Sequence, residues 1–108
     1  MEPIYVDIHI HTSDNPDKLN TNYDVKTLFF KVNEIGNNAR CLISLTDHNT
    51  INKDAYIKAL AAIPENMKML LGVELHIKNY KEAPAYHCHI FFKDPVSEQV
   101  IDELNAIL

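Results

Sequence analysis

A chain of 108 residues, 46% of them hydrophobic, can bury one core and form at most one domain. Its net charge is −5 at pH 7, with acids and bases interspersed and no Lys/Arg block to track a phosphate backbone, so nucleic-acid binding driven by bulk charge is excluded. No apolar run approaches the ~20 residues of a membrane span, and Met1-Glu2-Pro3-Ile4 lacks the basic and apolar regions of a signal peptide; no membrane partner and a cytoplasmic location are expected.

From Ile4 to Ile10, apolar Ile4, Val6, Ile8 and Ile10 alternate with Tyr5, Asp7 and His9, a period of two that predicts a strand with a specialised polar face. A turn-rich loop follows from Ser13 to Tyr23. Asp24 is a good N-cap for a helix with apolar face Val25, Leu28, Phe29, Val32 and Ile35, and Gly36, free to turn left-handed, should end it. Cys41 to Leu45 is a short apolar run of the buried parallel-strand kind. Asn52 or Asp54 should cap a second helix running through Ile63 to Pro64, and Met67 to Val73 reads as a third buried strand.

Glu74 to Pro84 is a connection with a short extra strand at Leu75 to Lys78, and Ala85 to Phe92 a further strand. Asp94-Pro95 supplies an N-cap with proline at the first helical position. The last helix presents Val96, Val100, Ile101, Leu104, Ile107 and Leu108 on one side. The resulting β-α-β-α-β-(β)-β-α order predicts an α/β fold with a mainly parallel sheet and crossover helices. Cys41 and Cys88 have no C-x-x-C partner and both fall in apolar runs, so both are expected to be buried, reduced thiols.

Four patches bring histidine or carboxylate to a strand: Asp7-Ile8-His9-Ile10-His11-Thr12, Thr46-Asp47-His48-Asn49, Gly72-Val73-Glu74 and His87-Cys88-His89. In α/β sheets functional groups gather at the carboxyl ends of strands. Residues i and i+2 of a strand share a side, so His9 and His11 can converge on one ion, and His87 and His89 repeat the spacing. Asp7 is placed to orient an imidazole as a hydrogen-bond acceptor. Glu74 can bridge two cations through its two oxygens, and cations so held clamp phosphoryl oxygens and activate water. Taken singly, each patch has a plain reading: a hydrogen-bonded histidine, Asp47 capping a helix entry, Glu74 as a solvated strand end. Four patches at successive strands outweigh those readings and point to a polynuclear metal site. His76 shares parity with Glu74 and nothing else marks it, so it is read as structural.

In this order, H-x-H-T at His9 to Thr12, T-D-H-N at Thr46 to Asn49, G-V-E at Gly72 to Glu74 and a histidine opening His89-Ile90-Phe91-Phe92 resemble the PHP (polymerase and histidinol phosphatase) domain. The resemblance spans roughly residues 4 to 95 and implies a distorted (βα)-type barrel, of which residues 1–108 would be the amino-terminal half of a domain about twice as long. It also implies up to three divalent ions (zinc, manganese or iron) in the complete domain. His9 and His11 would bind the first, with Glu74 bridging to a second. A histidine of the fourth strand, either His87 or His89 with the following apolar run favouring His89, would ligate that second ion, and His48 would belong to a third. The family's T-x-x-S-D-G loop is replaced here by Thr12-Ser13-Asp14-Asn15-Pro16-Asp17, which leaves Asp14 a weak ligand candidate.

The function so implied is hydrolysis of a phosphate ester, on a phosphorylated small molecule or a nucleic-acid end, through metal-activated water, with His9, His11, His48, Glu74 and His89 at its centre. A polymerase or ATPase region in a longer parent chain would fit the family, as would little activity from this half alone. The alternative is a non-catalytic docking or structural module; a degenerate domain of that kind should have lost ligands, whereas each motif within reach is intact. An amidohydrolase also opens with H-x-H, but the T-D-H and G-V-E pair speaks against it. The final helix face suggests a homodimer covering Val100, Ile101, Leu104, Ile107 and Leu108.

Overall fold

The computed structural model describes residues 4–13, 18–77 and 86–108, in the order β1 (Ile4–Ile10), α1 (Val25–Ile35), β2 (Arg40–Leu45), α2 (Lys53–Ala62), β3 (Met67–Met69), β4 (Leu71–Ile77), β5 (Tyr86–Phe92) and α3 (Glu98–Ile107). The fold is mixed α/β. Strands β1, β2 and β3 form a parallel sheet in that order, linked by α1 and α2, while β4 and β5 form a separate antiparallel pair. The described strands do not close into a barrel. Among the described residues no helix is long and apolar enough to cross a membrane.

Local chemistry explains the helix boundaries. The Asp24 carboxylate caps α1, accepting from the Thr27 amide at 3.1 Å and its hydroxyl at 2.7 Å. Gly36 follows the helix with φ −83°, and the left-handed turn falls instead on Asn37 and Asn38, at φ 53° and 57°. Space is tight at 36, where a β-carbon would stand 3.1 Å from the Val32 carbonyl and 3.2 Å from the Tyr5 side chain. Asn52 caps α2 by accepting from the Ala55 amide at 3.2 Å. The cap of α3 is Ser97, not Asp94, with the Val100 amide 3.2 Å from its hydroxyl; Val96 packs against the core first, which delays the helix past Pro95.

The core joins Val25, Leu28, Phe29 and Val32 of α1, Ala55, Tyr56 and Ala59 of α2, and Cys41, Ile43, Leu45, Met67, Leu71 and Val73 of the strands. Each aliphatic side chain so buried contributes about 1.5–3 kcal/mol. Register places Tyr5, Cys41 and Met67 in one row across the parallel sheet and Val6, Leu42 and Lys68 in the next. The first row faces the helices. Ile4 and Val6, on the other face, are 56% and 52% exposed, so the apolar residues that begin β1 do not line the core. Ile101 of α3 is buried in the core and Val100 and Leu104 pack against it, whereas Ile107 is 83% exposed. Most of the helix face expected to be free for a partner is therefore occupied within the chain.

Two departures matter for the site. The apolar run Met67 to Val73 is divided: the Leu70 amide bonds the Ile43 carbonyl at 2.9 Å, and the chain then leaves the parallel sheet as β4. The segment expected as an extra strand from Leu75 is a continuation of β4 as far as Ile77; Lys78 and residues 79–85 lie outside the described residues. The pairing of β4 with β5 is antiparallel because residues 78–85 are too few for a parallel crossover, which takes a dozen or more. Cys88 of β5 is exposed and only Cys41 is buried; on the same side of β5, Ile90 and Phe92 pack against the core, and Cys88 is not among the described residues that do.

Candidate metal centre

The β4–β5 register builds half of the site. Glu74 pairs with His89 and His76 with His87, and because strand side chains alternate, these four share one face of the hairpin. The motif glycine makes the approach to β2 close. A β-carbon at Gly72 would stand 2.5 Å from the Ser44 hydroxyl, 2.9 Å from the Phe91 ring and 3.0 Å from Thr46. At the end of β2 the chain stays in register with β4: the Glu74 amide bonds the Asp47 carbonyl and the Asn49 amide the Glu74 carbonyl, both at 2.9 Å, with His48 bridged to Glu74 between them. Asn49 turns the chain at φ 57°, and its side-chain oxygen accepts from the His76 amide at 2.9 Å.

The other histidines come from β1, where a bulge between Asp7 and Ile10 sets three steps against two on β2. Exposure falls on Ile4 and Val6 before the bulge and on His9 after it, so Asp7 and His9 do not share a face. Asp7 accordingly meets the backbone amide of His9, at 3.4 Å, and orients no imidazole. His11 is fixed from behind. Asp47, buried, accepts from the Thr12 amide and hydroxyl, each at 2.8 Å, and from the Ser13 amide at 3.3 Å. Asn52 donates to the Thr12 hydroxyl at 2.8 Å and to the Asn20 carbonyl at 2.9 Å, and Asn20 donates to the Thr12 carbonyl. Asp47 is not the helix cap, a place taken by Asn52; it ties the T-D-H segment to the end of H-x-H-T. Asp14 lies outside the described residues.

All six histidines of the chain converge on the carboxylate of Glu74, itself 4% exposed. They divide between its two oxygens. His9, His11 and His89 lie 3.1, 3.5 and 2.7 Å from Oε1, and His48, His76 and His87 lie 3.0, 2.9 and 3.8 Å from Oε2. His76, read from sequence as structural, stands within this group, and the parity it shares with Glu74 was its only signal. His89 groups with the H-x-H pair and His48 with the opposite oxygen, a partition that the motif order alone does not give. His9–His11–Glu74 and His48–Glu74–His76 are each tight enough for their donor atoms to meet at one ion.

Does the cluster fit cations rather than hydrogen bonds alone? A carboxylate offers about four lone-pair sites, and only His76 and His89 meet it with hydrogen-bond geometry. The buried Nε2 of His11 and both ring nitrogens of His48 have no hydrogen-bond partner, an uncommon and costly state for buried polar atoms. Two ligand atoms at ~2.0–2.1 Å from a shared ion stand roughly 2.9–3.4 Å apart, and most of the separations from the Glu74 oxygens fall close to that range. Burial alone would raise the Glu74 carboxyl, but hydrogen bonds from His76 and His89, with His11 and His48 beside it, hold it at about 2. Burial, then the neighbouring His11 and His76, push the His48 pKa down, favouring the neutral ring that ligates. The cluster can hold a metal ion.

No family model, characterised protein or solved structure matches this chain. The chemistry of the site rests on its geometry.

Proposed function

We propose that this chain is a metal-dependent phosphoesterase of the PHP kind, acting on the phosphate ester of a small molecule or a nucleic-acid end. The observation that carries the reading is the division of six imidazoles between the two oxygens of one buried carboxylate, since neutralising two adjacent cations is what such a bridge is for. Divalent zinc, manganese or iron bound there would supply Lewis acidity, polarising a phosphoryl oxygen and activating water for attack. The protein's own part is to hold Glu74 ionised, to keep imidazole lone pairs free, and to fix the H-x-H-T and T-D-H segments through Asp47, Thr12 and Asn52. His9 and His87 are each 57% exposed, so the cluster opens to solvent on both sides and an ester can reach it.

The test is hydrolysis of an aryl phosphate and of a short DNA end, with zinc or manganese added and with chelator. Weak turnover is expected, abolished by chelator and by Glu74→Gln, which removes the charge shared between the ions. Turnover that survives both treatments would overturn the assignment. Metal binding without turnover on either substrate would favour the docking-module reading.

A further inference from the structure

The Oε2 side of Glu74 has a composition that the sequence motifs supply only in part. Of its three histidines, His48 belongs to the T-D-H patch and His87 to the His87-Cys88-His89 patch; His76 is brought in by the register of the β4–β5 hairpin, where it faces His87 directly. Their rings stack at 4.1 Å with planes 3° apart, and the His48 ring lies 4.1 Å from that of His76. A hydrogen bond from His76 to Glu74 accounts for His76 alone. It leaves His48, only 16% exposed, with both ring nitrogens unpartnered beside a carboxylate oxygen 3.0 Å away.

We propose that His48, His76 and His87 form a second metal subsite, whose ion shares Glu74 with the ion held by His9, His11 and His89. The inference rests on the metal reading of the cluster and does not depend on hydrolysis. With this subsite, the ligands for a pair of ions all lie between His9 and His89. Each ion has three imidazole nitrogens and one carboxylate oxygen, a donor set that suits zinc, cobalt(II) or copper(II) and disfavours magnesium and calcium. Of the three, His87 stands farthest out, at 3.8 Å through Nδ1, and its 57%-exposed side chain has room to turn inward.

Chelator-stripped protein titrated with cobalt(II), read by visible absorption, counts the ions; zinc content after dialysis checks the count. Wild type should take up two ions per chain. The His76→Ala/His87→Ala variant should take up one, as should His9→Ala/His89→Ala, with folding verified by circular dichroism. His76→Gln/His87→Gln serves in the same role should the alanine pair unfold. Saturation of wild type at one ion overturns the proposal, as does retention of two ions by either variant lacking His76 and His87. Two ions without hydrolysis would leave this inference standing and remove the enzymatic one; hydrolysis with a single ion would do the reverse.

Discussion

Tyr56 does more for the position of the site than its place on α2 suggests. Its hydroxyl, fully buried, lies 3.0 Å from the Leu45 amide and 3.1 Å from the Gly72 amide, and 2.9 and 3.0 Å from the Leu45 and Leu70 carbonyls. A phenol accepts two bonds and donates one, so this hydroxyl joins β2 to β4 where the two sheets part. Burial pushes its pKa up, and the hydrogen bonds only partly offset that, so it is a neutral donor throughout the neutral range. In Tyr56→Phe two buried amides lose their acceptor, and a loss of about 2–6 kcal/mol is expected at roughly 1–3 per group; urea denaturation measures it. A loss below 0.5 kcal/mol would show that water replaces the hydroxyl. Nothing in the sequence announces this role, because one tyrosine on a helical face looks like any other core residue. The ligand motifs were legible for the opposite reason: H-x-H, T-D-H and G-V-E use residue types that cores avoid.

At the scale of elements, the helices were legible from their period and caps, and Asp24 makes that concrete. The Thr27 hydroxyl, and then the Thr27 amide, hold its carboxyl below the ordinary aspartate range. A carboxyl depressed on folding stabilises the fold above its unfolded pKa and loses that contribution as pH falls through the folded value. Wild type should therefore exceed Asp24→Asn in urea midpoint near pH 6, and the two should converge in acid, as pH falls through the folded value. An unchanged gap at acid pH would mean the cap does not act through its charge. The strands were less legible. Met67 to Val73 is apolar throughout, so nothing in its pattern marks Leu70 as the point where one sheet gives way to the other. The β1 bulge likewise leaves no trace in the alternation of residue types, yet it decides that His9 and not Asp7 faces the site.

For the molecule as a whole, the side chains that could hold metal come from β1 and the residue after it, the turn after β2, β4 and β5, so bound ions would tie the hairpin to the parallel sheet. Among the described residues β5 hydrogen-bonds to no strand but β4, and beyond that pairing it is held by the packing of Ile90 and Phe92 against the core. A ligand at a hundred times its dissociation constant stabilises the folded state by about 2.7 kcal/mol. Zinc should accordingly raise the melting temperature and chelator lower it, and amide exchange in β5 should slow more than in α1. Equal protection of both elements would show that the ions do not bridge the sheets. The element order and the parallel three-stranded core could be read from the sequence. The antiparallel pair could have been, from the shortness of the 78–85 link.

Cys88 sits between His87 and His89 on β5, pairs with Leu75 and is exposed, while the only other cysteine, Cys41, is buried with its thiol pKa pushed up by burial. The chain thus carries one thiol that reagents can reach, attached to the strand that supplies two of the imidazoles and directed, by alternation, to the reverse of it. A fluorophore attached through a maleimide would report on that strand from behind without occupying the cluster. The same accessibility means that air oxidation can join two chains covalently through Cys88. A dimer seen without reductant would then record sulfur chemistry and say nothing about an apolar interface.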